Sequence, residues 1–301
     1  MDKKIYLAGG CFWGVEHFFG GVDGVLSAIS GYANGNIAAP SYEQVYTDKT
    51  GFAETVEVTY DPSRISLREL LELYFCIIDP LSVNKQGHDE GTRYRTGIYW
   101  CDEEDAQAVG QVFEGQQRKA GKPLGDETGP LRNFYKAEEY HQEYLDKNPA
   151  GYCHLPLKTF RYLRAYQDLA NLLEGEDDMV AKMAETSSVI HARMRFFWTG
   201  FYIVRGDVLV LGPFQGTPAC LRIGYGKGVC GTAWKEDRTV IVPDVEEFPG
   251  HIACSSESRS EIVLPLRKDG KVTAVLDIDS DSPATFDSTD ALWLEKMLSL
   301  L

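Results

Sequence analysis

The chain has 301 residues, 44% of them apolar, and a formal net charge of −15. That length carries about two domains at ~100–200 residues each, and the apolar share supplies ordinary cores. Both halves share the acidic balance, which argues against nucleic acid or an anionic membrane as partner, and no apolar run reaches the roughly 18–20 residues of a membrane helix.

The N-terminal apolar run is too short for a signal peptide, so a cytoplasmic protein is expected. None of the seven cysteines lies in a Cys-x2-4-Cys pair, which removes the usual zinc spacing. In a chain without a secretion signal, spaced cysteines point to redox chemistry or core packing rather than to a disulfide framework.

Strands are predicted over 4–8, 52–60 and 96–101, and helices over 12–20, 66–78 and 103–120. Glu54 to Tyr60 alternates polar and apolar residues, the pattern of a half-buried strand. Asp102 is placed to cap the third helix. Residues 121–135 read as loop and short strand, and 137–147 as helix. A βαβ-like alternation with a mixed sheet follows. The first strand runs into Gly9-Gly10-Cys11-Phe12-Trp13-Gly14-Val15-Glu16. Two glycines make the bend, and Cys11 falls where a helix begins. There the helix dipole is expected to lower its pKa and make a nucleophile. The same cysteine also reads as a small apolar residue packed at a strand–helix corner. Cys76 and Cys101 are expected in the core, and His88 and His141 as hydrogen-bonded structural side chains.

A boundary is expected near 160, giving units 1–160 and 161–301. Residues 159–164 read as a short connection, and helices follow over about 165–174 and 179–193, with Asp178 near the cap of the second. Strands are predicted over 198–204, 207–213, 220–223, 239–242, 261–267 and 272–280. Arg205-Gly206-Asp207 and Asp269-Gly270 sit at hairpin turns. A last helix starts near Asp287. Gly224-x-Gly226-x-Gly228 lacks the ending of a phosphate loop and reads as a mobile loop carrying Cys230. Asp277 and Asp279 are two apart on one strand and face one side. With Glu261 they form a carboxylate cluster that raises its own pKa values. A calcium loop starting at Asp277 fails, because its sixth and twelfth positions are Ser282 and Ser288. The chain ends on Leu300-Leu301 within an apolar helical pattern; either it is cut short or a partner covers these leucines, a homodimer being one such partner.

Over residues 3–158, Gly10 to Glu16, Tyr42, Gly51 to Val56, His88 to Arg95 and Asn148 to Cys153 resemble the A-type peptide methionine sulfoxide reductases, specific for the S epimer. The resemblance implies a two-layer α+β fold with a ferredoxin-like core. It makes Cys11 the nucleophile, Glu54 the acid that protonates the departing oxygen, and Cys153 the resolving cysteine. Tyr42 and Tyr94 fit as donors to the oxygen. Phe12 and Trp13 offer a recess for the methyl group, and Asp89 reaches the substrate amide or amine, or orders water.

Over residues 166–300, the helix–antiparallel sheet–helix order suits a GAF domain. Trp198 to Tyr202, Leu211 to Gly216, Gly226 to Ala233, Pro249 to Cys254, Ser260 to Leu266 and Val275 to Ser280 are similar to the free methionine-R-sulfoxide reductases. That likeness implies Cys254 as nucleophile and Cys220 as resolving thiol, with Cys230 as second candidate. Glu261, Asp277 and Asp279 would protonate the oxygen and hold the ammonium, and Trp198 and Tyr202 would wall the thioether.

The expectation is a bifunctional methionine sulfoxide reductase for oxidative-stress repair, since sulfur in a sulfoxide is chiral and one pocket does not serve both hands. It needs no cofactor or metal, and thioredoxin is the expected electron donor. The alternatives are an S-epimer reductase regulated by a ligand-sensing GAF module, or a thiol-based oxidant sensor.

Overall fold

The computed structural model describes residues 2–252 and 255–301 and divides into two units, Met1–Leu157 and Lys158–Leu301.

In the first unit β1 (Lys3–Gly9) leads into α1 (Phe12–Gly20) and β2 (Val25–Ala33). After α2 (Tyr42–Tyr46) come β3 (Ala53–Tyr60) and α3 (Leu67–Tyr74), then a small hairpin of β4 (Lys85–Gln86) and β5 (Asp89–Glu90). The chain continues through β6 (Thr96–Trp100), α4 (Glu103–Ala120), β7 (Glu127–Pro130), β8 (Phe134–Lys136) and α5 (Tyr144–Lys147). The sheet order is β7-β6-β1-β3-β2-β8. β3 lies antiparallel between β1 and β2, β6 is antiparallel to β1 on its other side, and β7 is parallel to β6. Thus β1-α1-β2 and β3-α3-β6 are two crossovers whose strands interleave, the ferredoxin-like arrangement.

Central placement changes the character of β3. Its alternation suggests one wet face, yet Glu54 and Thr55 are both buried, because β1 and β2 flank the strand and α1 packs on it. Several local expectations also shift. β2 is an element that periodicity did not mark; in its first half Leu26 and Ser27 are exposed and the residues around them half-buried. α3 ends at Tyr74. Residues 137–147 split into a 3-10 turn, Glu139–His141, and the short α5. Asp102 precedes α4 without a side-chain capping bond. Cys76 is buried, but Cys101 is exposed rather than in the core.

The second unit holds α6 (Leu157–Leu172), α7 (Met179–Met194), β9 (Trp198–Arg205), β10 (Val208–Gln215) and β11 (Arg222–Gly224). Then come α8 (Gly228–Glu236), β12 (Val240–Val242), β13 (Ser260–Lys268), β14 (Lys271–Ser280) and α9 (Ser288–Leu298). The sheet, β11-β10-β9-β14-β13-β12, is antiparallel throughout its described pairs. Asp269 and Gly270 both take positive φ, 51° and 74°, as a two-residue hairpin with the sheet's twist requires. α6 begins earlier than expected, so the basic and aromatic residues 159–164 are helical, with Tyr162 and Leu163 buried. Asp178 caps α7 by accepting from Val180 N–H and Ala181 N–H. The segment read as a mobile loop carrying Cys230 is instead the start of α8, and Cys230 is buried on that helix.

Candidate active sites

Cys11 occupies the N-cap of α1, directly after the sheet's central strand β1. The apolar face of α1, including Phe12, Val15, Phe18 and Phe19, is buried, so packing drives the helix start, with its cysteine, into the protein. The first helical N–H, that of Phe12, donates to Glu54 Oε2 at 3.1 Å. Glu54 is fully buried, and that burial lifts its carboxyl to about 8 against the Phe12 hydrogen bond and the Arg93 charge. Near neutral pH it therefore carries a proton.

The Cys11 thiol behaves differently from the dipole expectation. Burial and the neighbouring Glu54 push its pKa well up, and the Trp13 backbone N–H opposes them only in part. Desolvation of the thiolate outweighs the helix terminus, so the resting site holds a thiol beside a protonated carboxyl. Tyr42 and Tyr94 face the same pair; burial, Glu54 and Cys11 all raise their phenols, Tyr94 to about 12. Both keep their hydroxyl protons to donate. Arg93 stacks over the Tyr46 and Tyr94 rings and pairs with Asp48 at 2.5 Å.

Phe12 and Trp13 form an aromatic wall. Trp13 stacks on Tyr144 with centroids 3.7 Å apart and donates its indole N–H to His141 Nδ1 at 3.1 Å. His141 also meets Phe12 and Tyr42, with centroids 5.0 Å and 4.6 Å away. Glu138 fixes Tyr42 by accepting its backbone N–H at 2.8 Å, and accepts the Tyr32 hydroxyl at 2.7 Å. Asp89 accepts from Tyr152 O–H at 3.0 Å. Cys153 follows Tyr152 and lies near enough to Cys11 for its charge to raise that thiol further. Thus Cys11, Phe12, Trp13, Tyr42, Glu54, Asp89, Tyr94 and Cys153 converge on one place.

In the second unit β13 and β14 pair so that Glu261 opposes Asp279, and Asp277 lies next to Gly200 on β9. Glu261 and Asp277 are buried, and burial together with their crowding pushes both carboxyls well up. Asp279 rises to about 6 by burial, opposed by a hydrogen bond from Ser258 Oγ. The three carboxyls line a cavity together with Trp198, Tyr202 and Cys230. Trp198 stacks near Tyr202 and against Phe214. Gly200 makes this possible, since a Cβ there would stand 2.3 Å from the Phe214 Cβ. Tyr202 O–H donates to the Cys220 carbonyl and Trp198 Nε1–H to the Thr217 carbonyl, both at 3.0 Å. The cavity wall and the Cys220 segment are thereby tied together.

Cys230, Glu261 and Asp277 place one sulfur and two carboxyl oxygens within 4.8 Å of one another, a donor set of metal-ligand type. Burial favours the protonated form of all three, whereas a metal would need their anions. Among the described residues Cys11, Cys76, Cys101, Cys153 and Cys230 are outside any disulfide, and Cys220 is disulfide-bonded. Cys254, the nucleophile expected from the sequence, lies outside the described residues.

Sequence reasoning did not assign Glu138, Tyr144, Tyr152 or His154 to the site, and it took His141 as structural only. Glu138 to Tyr144 follows a strand with no distinctive spacing, so only folding brings it to α1. His154 carried a signal, because it follows Cys153 directly.

Two family models match the chain. Residues 3–170 match peptide methionine sulfoxide reductase and residues 174–301 match a GAF domain. The peptide methionine sulfoxide reductase MsrA of Clostridium acetobutylicum is 54% identical over 159 residues, 53% of this chain and 98% of that protein. The structure of Mxr1 from Saccharomyces cerevisiae in reduced form is 42% identical, covering 52% of this chain and 92% of its own, with a TM-score of 0.49. Free methionine-R-sulfoxide reductase from Neisseria meningitidis, solved with its substrate, is 48% identical, covering 46% of this chain and 84% of its own, with a TM-score of 0.46. This chain belongs to the peptide methionine sulfoxide reductase family and carries a GAF domain after its reductase domain in the same polypeptide.

Proposed function

We propose that the chain reduces both epimers of methionine sulfoxide, the S epimer, free or in proteins, at Cys11, and the free R epimer at Cys254. The observation that carries the first half is the protonated Glu54, held by the Phe12 N–H at 3.1 Å beside the Cys11 thiol. A sulfoxide sulfur becomes electrophilic when its oxygen is hydrogen-bonded or protonated. Glu54 gives that proton, and Tyr42 and Tyr94 donate to the same oxygen. As its sulfur attacks, Cys11 gives its own proton to the Glu54 carboxylate left by that donation, which restores the acid. The S–O oxygen passes to Cys11, leaving methionine and a sulfenic acid. Cys153 then condenses with that sulfenic acid, releasing water and forming a disulfide. The wall of Phe12, Trp13, Tyr144 and His141 suits the S-methyl group, and Asp89 suits the substrate amide or amine.

In the second half, the neutral members of the Glu261–Asp277–Asp279 cluster serve the sulfoxide oxygen, and the cluster's residual charge holds an ammonium. An ammonium close to that cavity is a feature of the free amino acid, which supports free methionine sulfoxide as substrate. The disulfide at Cys220 and the free, buried state of Cys230 support Cys220 as the resolving thiol for Cys254. A thioredoxin-type dithiol reduces both disulfides. The test assays both epimers, free and peptide-bound, with Cys11→Ser and Cys254→Ser made separately in the full chain. Each variant should lose one epimer and keep the other. Retention of R-epimer turnover in Cys254→Ser, or of S-epimer turnover in Cys11→Ser, refutes the corresponding half.

A further inference from the structure

Tyr152, Cys153 and His154 dock across the start of α1. Tyr152 holds Asp89, as described above, and His154 Nε2 lies 3.0 Å from the Gly9 carbonyl oxygen at the end of β1. A carbonyl oxygen only accepts, so Nε2 carries the ring proton and Nδ1 keeps a lone pair. That Nδ1 is buried and has no hydrogen-bond partner.

The segment rests in a notch made by Gly14, one turn along α1 from Cys11. A Cβ on Gly14 would stand 3.1 Å from Cys153 Sγ, 3.1 Å from His154 Nδ1 and 3.0 Å from His154 Cε1. The thiol and the imidazole lone pair thus border the same notch, each 3.1 Å from one point and with no hydrogen bond between them, on the side of the helix that carries the nucleophile.

We infer that His154 is the general base of the resolving step: its Nδ1, fixed by the Nε2–H bond to Gly9, takes the Cys153 thiol proton as Cys153 attacks Cys11. This rests on the reductase reading of the first unit. The thiolate is the attacking species in such exchanges, and burial pushes the Cys153 thiol up, so it needs a base. In the step itself the Cys153 S–H bond breaks with its proton going to Nδ1, and the Cys153–Cys11 S–S bond forms. The Cys11 S–O bond breaks with its electron pair leaving on oxygen, and that oxygen takes up a proton to depart as water. The groups facing His154 are Asp89 on β5 and Cys153 beside it in the chain. Asp89 favours the imidazolium, but burial outweighs it and holds the ring neutral, below its ordinary value of 6.5.

The test is one turnover of the full chain with a peptide methionine-S-sulfoxide and no reductant. Methionine is counted, sulfenic acid is trapped with dimedone, and disulfide is followed by loss of free thiol. His154→Gln keeps an amide N–H for Gly9 but has no base. It should make one equivalent of methionine at the wild-type rate, accumulate sulfenic acid, and close the disulfide about 100-fold more slowly at neutral pH, the lower end of a general base's contribution. Its closing rate should climb about tenfold per pH unit as the Cys153 thiol itself ionises. His154→Ala, which loses the Gly9 bond too, should be no faster. A His154→Gln chain that closes the disulfide at the wild-type rate and with the wild-type pH profile overturns the inference and leaves His154 a latch only. A loss of the methionine burst in that variant overturns it as well. A second measurement needs no variant: wild-type closure should stay level as pH falls from neutrality to 6.5 and slow only below that ordinary value, where His154 takes its own proton, and a rate that already falls about tenfold per pH unit from neutrality is also fatal. A wild-type chain that yields no methionine refutes instead the reductase reading.

Discussion

Glu54→Gln tests the acid in the first site by two independent readouts. Gln has the shape of Glu and an oxygen to accept the Phe12 N–H, but no proton to give. With the carboxyl at about 8, roughly ten wild-type molecules are neutral for each ionised one at pH 7, since one pH unit is a factor of ten. Removing a positioned acid costs about 10²- to 10⁴-fold in rate, or about 3–5 kcal/mol of barrier. Single-turnover methionine formation from a peptide S-sulfoxide should fall by that factor. In the wild type the same rate should decline as pH rises through about 8. Wild-type stability should fall over the same rise in pH. The carboxyl rises from 4.5 to about 8 on folding, so between those values the folded state holds a proton that the unfolded state has lost. Wild-type stability from this group is therefore complete below pH 4.5 and is lost as pH climbs to 8. The loss amounts to about 5 kcal/mol in order of magnitude. Glu54→Gln lacks that decline, so its unfolding free energy relative to wild type should rise from pH 5 to 8 in urea titrations. A glutamine chain with undiminished turnover, or one whose relative stability is flat with pH, refutes the assignment.

Gly14→Ala puts a methyl into the notch 3.0–3.1 Å from His154 and Cys153. Alanine favours the helix, by up to about 1 kcal/mol, so the chain should fold while disulfide closure slows and the methionine burst persists; rapid-quench thiol counting reads it. Cys230→Ala should leave R-epimer turnover with a dithiol within a few-fold of wild type, whereas Cys220→Ser should stop recycling; equal loss in both variants would contradict the choice of Cys220. Asp279→Asn should raise the KM for free methionine-R-sulfoxide about 10-fold or more at neutral pH, since Asp279, held at about 6, carries the cluster's charge there and a charge-assisted bond contributes about 1.5–3 kcal/mol. Its S-epimer turnover should stay unchanged in the same assay.

Local patterns carried much of the architecture. The strand–glycine–cysteine–helix start is legible because two glycines and an amphipathic run specify a bend and a buried face within a dozen residues. Asp269-Gly270 specifies its hairpin by the backbone angles the pair tolerates, and the two-residue spacing of Asp277 and Asp279 places them on one side of β14. The first half of β2 was not legible, because partner strands rather than an apolar alternation hold it. Nor was the helix at Gly228–Glu236, whose glycines read locally as a loop but whose residues pack onto β13 and β14.

The sequence by itself determined which side chains were available for sulfur chemistry and where a sharp turn would present one of them. Tertiary structure decided their protonation. Cys11 sits at a helix terminus that favours a thiolate, yet burial under the sheet and beside Glu54 holds the proton on sulfur. Glu54 lies in a strand that alternates as if one face were wet, yet its central position strips the carboxyl of water and keeps it acidic near neutral pH. Desolvation depends on everything packed around a group, most of it distant along the chain, so no window of sequence contains it.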